Sequence, residues 1–283
     1  MRRAFLWMVV LWLMPGCGGE EKPEQPPGRV EADGNMGEVL KRRFADASLP
    51  RQARLAAGGE LLRGEDGAAF LASRYRSSDR ALVRALLDSL AAEDRVRAAR
   101  LAAGLLEVAG GEEKLDFEVV LLQQGKDAVA PLIRLVSKRG DWQTVVQALD
   151  ALGKLKAREG VAEMAACLND SNTWVRMAAA HALGEVGDVR AVPALVGALE
   201  DTSDVVVAAV LVGLGRTGDD RAAAACKARL SHSNPRVRGA AVSALGRLGR
   251  KDTAALLERM LEDPDEGVRY KARRALESVQ AQR

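Results

Sequence analysis

The chain has 283 residues, 48% of them hydrophobic but only 4% aromatic. Such a chain can bury a sizeable core, yet not one built on large rings; Ala, Leu and Val suit helices packed closely through small side chains. The formal charge is +3, so there is no global drive toward nucleic acid or an anionic surface.

The first segment is MRRAFLWMVVLWLMPGCGGE. Arg2 and Arg3 precede an apolar run from Ala4 to Met14. That run is too short for a bilayer span, which needs about 20 residues, and has the form of a signal-peptide core. Removing both arginines leaves 40 basic against 39 acidic residues. From Gly18 to Met36 the chain is rich in Pro, Gly and Glu, a composition that favours an extended, solvated tether.

The stretch Leu13-Met14-Pro15-Gly16-Cys17 resembles the lipobox of bacterial lipoproteins, with Gly16 in the small position before the cysteine. The resemblance implies lipid on Cys17 and a membrane anchor in the bacterial cell envelope, on the inner or the outer membrane. The expected organisation is a signal peptide over 1–16, lipidated Cys17 and tether over 17–36, degenerate helical repeats over 37–126 and regular repeats over 127–283.

Amphipathic spacing predicts helices over 49–62, 68–76, 80–90, 95–108, 114–123 and 127–137. Beyond them one spacing takes over. Val175, Val206, Val237 and Val268 stand 31 residues apart, as do Leu168, Leu199, Leu230 and Leu261. The pairs Leu152-Gly153, Leu183-Gly184, Leu214-Gly215 and Leu245-Gly246 keep the same step. Each period holds two helical patterns. Asn172, Ser203 and Asn234 suit N-caps, Pro235 suits a first helical position, and Gly187, Gly218 and Gly249 suit left-handed helix ends. Helix, turn, helix, turn at a fixed period predicts an all-α fold, an α-solenoid of antiparallel helix pairs of about 31 residues each.

The motif Leu183-Gly-Glu-Val-Gly-Asp-Val-Arg-Ala-Val-Pro-Ala-Leu195 resembles the short HEAT-like repeat of phycobilin lyases. The resemblance covers about 127–279 and implies stacked helix pairs whose second helices line a concave face.

A search for chemistry returns little. His181 and His232 stand 51 residues apart, without metal-ligand spacing, and no phosphate loop or nucleophile elbow is present. No catalytic residue, metal or cofactor is expected. Cys167 and Cys226 fall in or beside core columns about two repeats apart, too far to bridge, and are expected as buried free thiols. Arg176, Arg238 and Arg269 share one repeat position; acidic turns precede Arg176 (Asp170) and Arg269 (Asp263, Asp265) but not Arg238, which predicts a partial Arg–Asp ladder between repeats. Val207 replaces arginine in that column, and Val212 stands where neighbouring repeats carry His181 and Ser243. An apolar stripe at partly exposed positions then suggests a groove for a protein or peptide, with Arg176, His181, Val207, Val212, Arg238 and Ser243 as candidate contacts. The functional expectation is a membrane-tethered, non-catalytic adaptor without a small-molecule substrate or nucleic-acid partner. The alternative is an enzyme or enzyme subunit, such as a lyase-like accessory, on the same scaffold.

Overall fold

The computed structural model describes residues 36–281, except 65, 76–78, 111 and 112. The expected signal peptide, Cys17 and the tether up to residue 35 lie outside the described residues. Sixteen α-helices follow in chain order: α1 (Met36–Ala45), α2 (Arg51–Leu61), α3 (Gly67–Tyr75), α4 (Arg80–Glu93), α5 (Arg95–Val108), α6 (Glu113–Gln124), α7 (Val129–Lys138), α8 (Trp142–Lys154), α9 (Val161–Ala166), α10 (Thr173–Val186), α11 (Val192–Gly197), α12 (Asp204–Thr217), α13 (Asp220–Ala228), α14 (Pro235–Leu248), α15 (Ala254–Arg259) and α16 (Glu266–Ala281). Single 3-10 turns flank α9, α11 and α15 on both sides. Among the described residues there is no strand. The fold is the expected α-solenoid.

The predicted helices over 49–62 and 95–108 correspond to α2 and α5 with ends shifted by at most two residues. The sequence pattern missed α1, whose exposed charged residues surround one buried anchor, Phe44. That ring meets Phe70 of α3 edge-to-face at 6.3 Å, so a tertiary contact, not periodicity, identifies the helix.

From α7 onward the helices form two layers. The second helices α8, α10, α12, α14 and α16 pack on one another in succession, while the shorter first helices form the other layer. The Leu-Gly columns explain the close contact. Leu152, Leu183, Leu214 and Leu245 are fully buried. A Cβ added at Gly184 would meet the Gly213 Cα at 2.6 Å, one at Gly215 the Ala244 Cα at 2.7 Å, and one at Gly246 the Ala275 Cβ at 2.5 Å. Adjacent second helices therefore touch almost backbone to backbone, and only glycine fits there.

Helix ends follow local chemistry. The Asn172 and Asn234 side chains accept from the backbone N–H of Trp174 and Arg236, each at 2.8 Å. Gly187, Gly218 and Gly249 end their helices with φ of 66°, 69° and 66°. Ser203 differs from the expectation: it occupies the N-cap position of α12 without a side-chain bond, and its own N–H donates to Asp201 at 2.8 Å. Cys167 and Cys226 are buried and free, as expected. Burial pushes both thiols up, that of Cys226 to about 12.

Candidate functional site

The outward face of the second helices is built on one residue column. Asp150, His181, Val212, Ser243 and Arg274 stand 31 residues apart on α8, α10, α12, α14 and α16. Asp150, His181 and Arg274 are exposed, and Val212 and Ser243 half-buried. Lys154 bridges Asp150 at 2.5 Å and Glu118 at 2.8 Å. Glu185 accepts from Lys156 at 3.0 Å and also pairs with Arg216. Desolvation of the ring, and then the Arg216 guanidinium, hold the His181 imidazole below the ordinary value. The Ser243 hydroxyl donates to the Gly239 carbonyl at 2.9 Å. Ser243 lines a cleft of about 260 Å³ with Arg247, Lys271, Arg274 and Ser278.

Three expected contacts lie elsewhere. Val207 is 2% exposed and does not face a groove. Ten residues of α12 are buried, so its apolar run fills the middle of the stack, and the partly exposed stripe reduces to Val212. Arg176 and Arg238 are occupied by the fold. Arg176 Nε and Nη2 donate to Asp201 at 2.6 and 3.1 Å, and its Nη1 to the Asp170 and Ser171 carbonyls at 2.9 and 3.1 Å. Arg238 repeats this arrangement on Asp263, at 2.8 Å for both bonds, and on the His232 and Ser233 carbonyls, at 2.9 Å for both.

The expected Arg–Asp ladder is therefore present, in a different register. The acid comes from the turn that follows each arginine, 25 residues later, and the preceding turn supplies carbonyls. Arg54 and Asp79 form a pair at the same separation, at 2.6 Å, and carry the pattern into the first part of the solenoid. Burial alone would raise the Asp201 carboxyl, but Arg176 and the Ser203 N–H outweigh it and hold the group below its usual range. Arg238 does the same for Asp263 against the opposing effect of burial.

Sequence reasoning passed over two aromatic residues on this rim. Trp142 and Trp174 stand in the first turns of α8 and α10 and are 42% and 58% exposed. In a chain of such low aromatic content, two tryptophans at the starts of successive second helices are the signal that would have marked them. Among the described residues, no group of three His, Cys, Asp or Glu side chains is placed to hold a metal ion, and no helix is long and apolar enough to cross a membrane.

Paired helices at a fixed step, sealed by glycine contacts and an Arg–Asp ladder, define an α-solenoid repeat protein. The HEAT-repeat pattern matches residues 129–215 and 197–277, and the chain belongs to the HEAT-repeat family. No curated protein matches it in sequence. Among solved structures it is similar to the complex of CpcE and CpcF of phycocyanin lyase from Nostoc, with 27% identity, 62% of this chain and 74% of that one covered, and a TM-score of 0.45. It is also similar to human deoxyhypusine hydroxylase, with 20% identity, 87% and 96% covered and a TM-score of 0.39. A designed armadillo repeat protein matches with 18% identity, 75% and 99% covered and a TM-score of 0.42.

Proposed function

We propose that the chain is a non-catalytic HEAT-repeat scaffold that holds a protein or peptide against the outward face of its second helices, tethered to the bacterial envelope through lipid on Cys17. The observation that carries the scaffold reading is the rim of that face. Trp142 and Trp174 stand exposed in the first turns of α8 and α10, and α10, α12 and α14 carry the mixed strip of His181, Val212 and Ser243. Large exposed aromatics beside a rigid helical face are the residue types that anchor protein interfaces. The tether rests on the sequence around Cys17 and on the polar segment behind it. An enzymatic subunit on the same scaffold would need a converging acid or base; His181 is the one histidine of that face, and its neighbours Glu185 and Arg216 pair with each other.

Site-specific photocrosslinking in the native envelope tests the docking face. A crosslinker at Val212 or Trp174 should trap one defined partner, and one at Glu258, exposed on α15, should not. Equal trapping from all three positions, or none, overturns this reading. Lipid labelling should mark the wild type and spare Cys17→Ser; equal labelling of the two removes the anchor.

A further inference from the structure

The ladder shows what its vacant position is shaped to hold. The arginine column reads Lys114, Val145, Arg176, Val207, Arg238, Arg269, and the acid column Arg139, Asp170, Asp201, His232, Asp263. Where Val207 removes the arginine, His232 has replaced the acid, and the pair is lost together. At Val145 only the cation is missing. Asp170 stands 25 residues on, where Asp201 and Asp263 stand for their arginines.

The acceptor half is built as in the complete pairs. Asp201 Oδ1 takes the Ser203 N–H at 2.8 Å, Asp263 Oδ1 the Asp265 N–H at 2.9 Å, and Asp170 Oδ1 the Asn172 N–H at 2.8 Å. The two carbonyls in register with those that receive the guanidinium belong to Arg139 and Gly140. Both residues, with Asp170, Val145 and the exposed Trp142, line one cleft of about 680 Å³. Nearby cations do not fill it. Lys114 donates to Asp141 and Thr144 at 2.7 and 2.6 Å. Arg139 donates to the Ala166 carbonyl at 3.0 Å and comes no nearer to Asp170 than 3.9 Å, beyond hydrogen-bond range.

We propose that this cleft is a receptor slot for one arginine side chain of the docked protein or peptide, its guanidinium lying against Asp170 over the buried side chain of Val145. The fork geometry of a carboxylate with two turn carbonyls suits guanidinium better than ammonium, and the Trp142 ring offers a face for stacking. The inference refines the scaffold reading by naming a side chain of the partner.

The test uses the full chain titrated with N-acetyl-arginine amide, N-acetyl-lysine amide and N-acetyl-citrulline amide, followed by tryptophan fluorescence and amide NMR shifts. Saturable shifts confined to residues 139–145 and 170–175 are expected with the arginine compound. The lysine compound should bind at least tenfold more weakly, and the citrulline compound should give no saturation. Asp170→Asn should weaken arginine binding at least tenfold with helicity unchanged. Val145→Arg should abolish it and raise the Tm, because the slot is then filled from within. Equal binding of the citrulline compound, or undiminished binding by Asp170→Asn, overturns the proposal whether or not Val145→Arg folds. Partner crosslinks at Val212 that survive both variants overturn the slot and leave the scaffold reading standing. Absent crosslinks with intact arginine binding do the reverse.

Discussion

Replacing Arg238 by alanine should be among the most damaging single changes on the surface of the solenoid. The Arg238 side chain is 13% exposed and that of Asp263 4%. The substitution deletes both bonds to Asp263 and both to the turn carbonyls of His232 and Ser233. It leaves a nearly buried carboxylate that still accepts from the Asp265 N–H at 2.9 Å. Removing one partner of such a pair costs about 3 kcal/mol, because the stranded charge loses its counter-ion without regaining water. Screening discounts the figure little at this exposure. Arg190, 64% exposed and paired with Asp188 in its own turn, is the control: Arg190→Ala should leave the Tm almost unchanged. Thermal unfolding by circular dichroism compares the two variants, and hydrogen exchange should place the lost protection in α14 and α16. Equal, small Tm changes would refute the stranded-carboxylate account, as would a loss spread evenly over all repeats.

The Lys114 ammonium, followed by the Thr144 N–H and hydroxyl, holds the Asp141 carboxyl at about 2 against the opposing effect of burial. A depressed carboxyl stabilises the fold above its unfolded value of 3.8 and loses that contribution as pH falls to about 2; urea unfolding should show the decline in this window, and Lys114→Met should flatten it. Gly215→Ala should cost about 1–3 kcal/mol by pushing α12 off α14, whereas Gly197→Ala, with open space around its Cβ, should be neutral or mildly stabilising in the same unfolding assay. Neither Cys167 nor Cys226 should react with a thiol reagent at pH 8 in the native protein, since burial raises both thiols; both should titrate on denaturation, and a fast-reacting native thiol at either position would contradict their burial.

The fold was legible because its signals are repeated. One Leu-Gly pair is a weak pattern, but four at one spacing require helices that touch there. The ladder was legible as a tendency of arginines to sit beside acidic turns. Its register was not, because which of two flanking turns supplies the carboxylate depends on the path of the neighbouring repeat. Val207 misled for a related reason: the column read as outward-facing from its arginines alone, yet those guanidinium groups lie between turns, and a valine there is simply buried. Phe44 and its helix escaped notice because a single anchor leaves no period to detect. Trp142 and Trp174 stand in the first turns of α8 and α10 at exposed positions, which the apolar period does not register.

The ladder also defines what counts as a module. Each complete pair straddles a repeat boundary, with the arginine in one helix pair and its carboxylate in the turn leading into the next second helix. A repeat cut out as a bare helix pair would carry its arginine away and leave the matching acid behind, or arrive with an acid and no arginine to meet it. Cassettes exchanged among such proteins, or built by design, must therefore be matched at their seams. A seam that supplies only the acid does not merely weaken the joint; it creates an opening of the kind beside Val145.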